Sequence, residues 1–179
     1  MIGRILLWFY CLPMGQAAAL MLLAAGAAWL ARRRWGEMGW FVPASAALTV
    51  LWLAAVAAVT LLRRDPTEVC TVNLMPLHSY REVLAEGNIE ILRSNFMNTA
   101  LFFPGGVLLG LLLPRKWRAG WRMLTVLAVF AVLSVGIELL QYRFHLGRVE
   151  ADDVLHNALG GLLGAGVLSV RDFTDERHP

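Results

Sequence analysis

Apolar runs of membrane-spanning length occupy most of this chain and leave few folds open to it. A hydrocarbon core of roughly 30 Å needs about 20 mostly apolar residues in a helix. Five segments approach that length: residues 5–31, 40–62, 98–113, 120–142 and 153–170. Because an open sheet would leave backbone groups unsatisfied in lipid, we predict an all-α, polytopic membrane helix bundle of about five transmembrane helices. The composition agrees, with 58% hydrophobic and only 16% charged residues.

We expect residues 1–179 to form a single integral membrane domain. Its parts are two N-terminal spans in 1–62, an outer loop in 63–97, core spans in 98–170 and a tail in 171–179. The first apolar run is too long for a signal peptide and has only Arg4 as a basic flank, so we interpret it as an anchor that is retained.

Basic residues concentrate in two loops that follow alternate spans. Arg32, Arg33 and Arg34 lie in the first of these loops, and residues 114–122 carry four more basic side chains. With five spans both loops lie on one side of the membrane, which the positive-inside rule makes cytoplasmic. We therefore predict an outer N-terminus and a cytoplasmic C-terminus, although Arg63 and Arg64 count against this orientation. The sequence pI near 9.3 is then explained by the basic loops that set the membrane orientation. We therefore do not predict nucleic acid as a partner.

The loop between the second and third spans is long enough to have structure of its own. Residues 79–92 mix charged and apolar side chains, which predicts an amphipathic surface helix interrupted near Gly87 and Asn88. Residues 73–77 are apolar but too short to cross, and we expect them to form a re-entrant turn in the outer leaflet.

Polar side chains recur at helical spacing on the last two spans. Ser134, Glu138 and Gln141 share one face of the fourth span, because separations of three and four residues share a face. Asp153 and Asn157 do the same on the fifth span. Two facing rows of polar side chains of this kind, here called a polar seam, can be interhelical hydrogen bonds that stabilise packing by about 0.6 kcal/mol each. A seam that only serves packing does not need a carboxylate. A carboxylate inside a span normally faces protein or a water-filled cavity and has a partner.

These polar groups fall at the outer ends of their spans, so we predict that they converge on one site. Glu138, Asp153 and His156 are the candidate catalytic residues, with Glu138 as general acid or base. His156 has a second interpretation as a hydrogen-bonded core residue. The candidate substrate-binding residues are Arg148, Asn73, Asn98, Gln141 and Asn157.

Two further choices stay open at this site. Asp152 and Asp153 can cap the last helix, or they can bind a divalent cation together with Glu138. An oxygen-rich set of that kind suits magnesium, calcium or manganese rather than zinc. Arg148 can pair with the acidic cluster or hold a substrate phosphate or carboxylate.

The ordered motifs over residues 73–164 resemble the VanZ-like membrane protein family. They are Asn73-Leu74-Met75-Pro76, Asn98, Phe103-Pro104-Gly105-Gly106, Ser134-x-x-Ile137-Glu138-x-x-Gln141, Arg148, and Asp152-Asp153-x-x-x-Asn157-x-x-Gly160. Leu77 and Glu150 depart from the family pattern, which favours an aromatic residue and an aspartate there. The first two spans carry no motif of this resemblance.

The resemblance implies a bacterial cytoplasmic membrane protein associated with resistance to glycopeptide antibiotics such as teicoplanin. It does not imply a particular reaction, and three functions are compatible with the sequence. The first is an outer-leaflet enzyme for a lipid-linked cell-wall precursor, and the second is a non-enzymatic protein that binds a lipid or antibiotic headgroup. A small transporter is disfavoured, because no second polar set leads to the cytoplasm. Membrane lipids, the precursor or the glycopeptide are the expected partners.

Overall fold

Six helices and one short strand pair make up the fold of the residues that the computed structural model describes, namely 14–68, 70–114 and 116–175. In chain order the elements are α1 (Met14–Trp35), α2 (Phe41–Ala57) with a π-helical turn (Ala58–Leu62), β1 (Val72–Asn73), α3 (His78–Glu86), α4 (Ile89–Leu112), α5 (Ala119–Arg143), β2 (Val149–Glu150) and α6 (Ala151–Asp175). Among the described residues four helices are long and apolar enough to cross a membrane, α1, α2 with its π-helical turn, α4 and α5. The predicted all-α membrane bundle is confirmed, whereas α6, which contains the fifth predicted span, is not among these four helices. The start of the first predicted span, at 5–13, lies outside the described residues, as do Arg115 and the end of the tail, at 176–179.

The helix that contains the third span begins at Ile89, nine residues before the predicted start of the span at residue 98. Gly87 ends α3 in the left-handed region with φ of 68°, and the Asn88 side chain then caps α4 by accepting a hydrogen bond from the Glu90 amide at 3.1 Å. The predicted interruption at Gly87 and Asn88 is therefore confirmed. The amphipathic helix ends at this break, and the second half of the predicted 79–92 segment belongs to α4, because a capping asparagine starts a new helix there.

Helices α4 and α6 pack closely through glycines. A side chain on Gly106 would meet the backbone of Gly161, and one on Gly160 would meet the Thr99 carbonyl. Gly164 faces the α4 backbone in the same way. Small residues allow such close backbone approach in membranes, and this contact places the first turn of α6 beside the middle of α4.

Trp52 fixes α2 against α4 at the proline inside α4. Pro104 cannot donate a helical hydrogen bond, and in the same turn the Trp52 indole nitrogen donates to the Leu101 carbonyl at 3.0 Å. A side chain on Gly105 would meet the Trp52 ring, which also makes a T-shaped contact with Phe102. The missing side chain at Gly105 therefore makes room for the indole.

The outer loop is joined to the start of α6 by a parallel strand pair. Val72 pairs with Val149 and Asn73 with Glu150. The Asn73 side chain accepts a hydrogen bond from the Met75 amide at 3.1 Å, and a turn follows in which Leu77 has φ of 60°. The segment predicted as a re-entrant turn is thus a strand end and a turn.

The helices alternate in direction, so the bundle has two chemically different ends. The loops at 36–40 and 113–118 lie at what we call the basic end. The strand pair, α3 and the start of α6 lie at the opposite end, which we call the site end. The sequence-based orientation predicts that the site end faces outward.

A thiol-labelling experiment tests this orientation. In a chain whose Cys11 and Cys70 are replaced by serine, we expect Glu86→Cys to react in intact cells with a membrane-impermeant thiol reagent, because Glu86 is exposed at the site end. Glu37→Cys and Lys116→Cys at the basic end should react only after permeabilisation. The reverse pattern would place the site end in the cytoplasm.

Candidate functional site

Two carboxylates from neighbouring helices form the centre of the site. Glu138 on α5 and Asp153 on α6 lie close enough to interact electrostatically. Asp153 Oδ1 accepts a hydrogen bond from Asn98 Nδ2 on α4 at 2.7 Å. Glu138 is only 6% exposed, and its Oε2 accepts a hydrogen bond from the Glu150 amide at 3.0 Å. Glu138, Asp153 and Asn98 thus come together from three helices, as predicted. Asn157, which was also predicted near them, donates to Ser134 Oγ, one turn before Glu138 on α5.

Arg64 is the cation that neighbours both carboxylates. It interacts electrostatically with Glu138 and with Asp153, and its Nη1 donates to the Leu146 carbonyl at 3.4 Å. In the sequence, Arg64 stood out only as an exception to the positive-inside rule. That exception was the usable signal, because a buried carboxylate in a membrane protein normally has a cationic or hydrogen-bonding partner.

An open cavity of about 480 Å³ lies in front of Asp153, between α3, α4 and the segment that leads into α6. Its walls carry two guanidinium groups and four carboxylates, with neutral polar groups between them. The lining residues are Arg64, Ser79, Glu82, Glu90, Ile91, Ser94, Asn95, Gly147, Arg148, Glu150 and Asp153. Asp153 therefore contributes to the cavity wall, while Glu138 is not among the lining residues and contacts the Glu150 backbone behind it.

Arg148 pairs with acidic side chains at the cavity wall. Its Nη2 lies 2.8 Å from Glu150 Oε1 and 3.7 Å from Glu82 Oε2. The Arg148 side chain is still 56% exposed. Of the two predicted roles, pairing with the acidic cluster is thus present, and the guanidinium remains open to a ligand in the cavity.

Asp152 caps α3 from outside that helix. Its Oδ1 accepts a hydrogen bond from the Leu77 amide, and its Oδ2 accepts one from the Ser79 amide at 2.8 Å. Asp152 lies in the first turn of α6, outside the four apolar spans. Burial alone would raise its pKa, but the hydrogen bonds from Ser79 and Leu77 outweigh burial and hold the pKa of Asp152 below its ordinary value.

The predicted metal set of Glu138, Asp152 and Asp153 is not assembled. Among the described residues, no group of three histidine, cysteine, aspartate or glutamate side chains is arranged to hold a metal ion. Each oxygen of Asp152 accepts a hydrogen bond from a backbone amide of the α3 turn, so this carboxylate caps α3. The residues present do not fit the magnesium or calcium site that the acidic spacing had suggested.

His156 has the environment of a hydrogen-bonded core residue. It is 6% exposed, and its Nδ1 lies 2.6 Å from the Asp152 carbonyl. A carbonyl only accepts, so Nδ1 carries a proton. The other ring nitrogen lies 2.8 Å from the Tyr80 hydroxyl. Both nitrogens are engaged away from the cavity lining, which favours the second of the two interpretations, and a catalytic role for His156 stays a prediction.

Three of the predicted substrate-binding residues have structural partners instead. Asn157 Nδ2 donates to Ser134 Oγ at 2.7 Å, and Gln141 Nε2 donates to the Thr60 carbonyl at 3.0 Å. Asn73 binds its own turn in β1. Of the five predicted binders, Arg148 lines the cavity and Asn98 reaches it through Asp153, whereas Asn157, Gln141 and Asn73 are not among the lining residues.

The family model for VanZ/LLP1 matches residues 40–172, well over half of the chain. The chain belongs to the VanZ/LLP1 family. No curated protein and no solved structure matches it. The match to the family model begins at α2. The resemblance that we identified over residues 73–164 therefore covers less of the chain than the family does. Helix α2 belongs to the VanZ region, and it leads directly into Arg64.

Helix α3 supplies part of the candidate site, and the sequence-based candidates did not include its residues. Ser79 is buried, lines the cavity and accepts a hydrogen bond from Asn95 Nδ2 at 2.9 Å. Glu82 lines the same wall one turn further along. The amphipathic pattern at 79–92 was the available signal, but we had interpreted it as a surface helix without a cavity beside it.

Proposed function

We propose that this VanZ/LLP1-family protein binds the headgroup of a lipid-linked cell-envelope substrate in the site-end cavity and acts on it as an outer-leaflet enzyme. The observation that carries the proposal is the mixed charge of the cavity, with two arginines and four carboxylates around one open space. A headgroup with both phosphate and amino or hydroxyl groups is complementary to such walls, because the arginines can bind the phosphate and the carboxylates can accept hydrogen bonds from the amino or hydroxyl groups. Its lipid tail would stay in the bilayer beside the bundle.

In this proposal the arginines bind the anionic part of the headgroup. Arg148 is exposed in the cavity wall and can take a phosphate through two parallel N–H donors. Arg64 lies deeper, next to the two central carboxylates, so it would position the group that reacts. Glu82 and Glu90 then face the amino and hydroxyl groups of the substrate.

Asp153 is the carboxylate in position to exchange a proton with the substrate. It lines the cavity, and Asn98 fixes its orientation through the 2.7 Å hydrogen bond. Glu138 lies behind it as a second acidic group. A like-charge neighbour makes full ionisation of both groups costly, which is an arrangement found in catalytic pairs of acids. Glu138 would thus act together with Asp153 rather than alone.

A non-enzymatic role in binding a lipid or antibiotic headgroup is the second candidate. It is favoured by the charge pairs that the cavity already contains, such as Arg148 with Glu150, because preformed pairs make a rigid recognition surface. Glycopeptide resistance of the teicoplanin type would follow from either role, through an altered or sequestered envelope component.

Purified protein in lipid nanodiscs, supplied with lipid II, undecaprenyl phosphate or phospholipid, separates the two roles. For the enzyme we expect products by mass spectrometry, with turnover at least about 100-fold lower in Asp153→Asn, since an acid or base contributes that much or more. Asp65→Asn, an exposed acid at the same end, is the matched control and should keep full turnover. Saturable one-to-one binding without product would support the second candidate, and neither binding nor turnover would contradict both.

A further inference from the structure

We propose that the basic end of the bundle holds an anionic phospholipid. One acyl chain would lie in an apolar groove between α1, α2 and α4, and the phosphate would bind Arg33 and Arg34. This site is at the opposite end of the molecule from the cavity described above. It does not rest on the function proposed for that cavity.

The groove has a volume of about 420 Å³ and a wall made almost wholly of apolar side chains. On α1 that wall is formed by alanines such as Ala24 and Ala28, whose small side chains leave the space open. Leu48 of α2 and Val107 of α4 form the other sides. Water gains no hydrogen bonds from such a wall, whereas the methylene groups of a lipid chain match it.

A second recess of about 570 Å³ adjoins the groove on α1. The two share Ala27, Ala31 and Trp35, so one elongated molecule can occupy both. Of the described residues that line this recess, Arg33 and Arg34 are charged and none is acidic. An apolar groove that continues into a purely basic recess is complementary to a chain with an anionic end.

The aromatic neighbours of this recess are of the kind expected at headgroup depth. The Arg33 guanidinium lies 5.0 Å from the centre of the Trp29 ring, which orients it by a cation–π contact. The Trp35 and Trp40 rings pair with centroids 6.1 Å apart, and tryptophan is typical of membrane interfaces. Arg32, by contrast, turns inward and donates to the Gly110 carbonyl. Two cations without a carboxylate favour an anionic over a zwitterionic lipid.

Native mass spectrometry of the full chain in neutral detergent tests the proposal. The probes are phosphatidylglycerol and phosphatidylcholine with identical acyl chains. We expect phosphatidylglycerol to be retained at least about tenfold more tightly, and its affinity to fall about fivefold for each of Arg33→Gln and Arg34→Gln. Arg143→Gln is the matched control, since Arg143 also lies over an aromatic ring but at the site end. It should not change retention.

A second variant tests the groove separately from the charge. Ala27→Phe keeps both arginines but fills the space shared by the two recesses, so it should lower retention of both lipids. Equal retention of the two lipids by the unmodified chain would overturn the proposal. So would an Arg33→Gln effect no larger than that of Arg143→Gln, or a lipid-free dimer whose formation Ala27→Phe prevents.

Discussion

Glu138→Gln should reduce activity at least about 100-fold while leaving expression, membrane insertion and thermal unfolding unchanged. Glutamine keeps the shape of the side chain and an oxygen that can accept the hydrogen bond from the Glu150 amide. What it removes is the negative charge beside Asp153 and Arg64. Activity is measured as product formation in nanodiscs, or as antibiotic susceptibility in cells that depend on the protein.

The matched control for that variant is Glu37→Gln, which removes a carboxylate from an exposed position at the basic end. It should behave like the unmodified chain. If Glu138→Gln also kept normal activity, the polar seam would be a packing feature in which an amide serves as well as a carboxylate. An ionic role for Glu138 would then be wrong.

Gly106→Ala should destabilise the bundle by about 3 kcal/mol or more, the upper range for an overpacked core. The added methyl group would meet the backbone of Gly161, which cannot rotate away as a flexible side chain can. Helices α4 and α6 would have to separate, and Asn98 would lose its hydrogen bond to Asp153. Thermal unfolding in detergent and the labelling rate of a cysteine in the cavity would both report the change.

Gly136→Ala is the control, because a side chain at Gly136 meets no atom within 4 Å. That substitution should be neutral or slightly stabilising, since alanine favours the helix over glycine. If Gly106→Ala unfolded at the same temperature as Gly136→Ala, the close α4–α6 contact would not exist in the membrane.

The polar centre of the site could be predicted because hydrocarbon penalises stranded polar groups. Glu138 lies one helical turn after Ser134, and Asp153 lies in the first turn of the next helix. Bringing these side chains together with Asn98 is the arrangement with the lowest free-energy cost of burying polar groups. Periodicity and energetics together were sufficient for this part. The same reasoning predicted the break between α3 and α4, where asparagine follows glycine.

The role of Asp152 could not be predicted in this way. It depends on the path of the outer loop, which places the amides of Leu77 and Ser79 over Asp152. Leu77 reaches this position through a left-handed backbone conformation, which a leucine in the sequence does not predict. The spacing of residues on one helix does not predict hydrogen bonds from backbone amides of a loop some 75 residues earlier in the chain. For this reason an aspartate that caps α3 was predicted to be a metal ligand.

The cavity wall allows a direct test of the proposal that this VanZ/LLP1-family protein binds a polar headgroup at the site end of its bundle and that this end faces outward. Ser94 lines the cavity and is exposed, so Ser94→Cys in a background without Cys11 and Cys70 should react with an impermeant thiol reagent in intact cells. In nanodiscs, lipid II or undecaprenyl phosphate at saturating concentration should slow that reaction at least about tenfold, and Asp153→Asn should weaken the protection. Labelling only after permeabilisation, or a rate that no lipid-linked substrate changes, would contradict the claim.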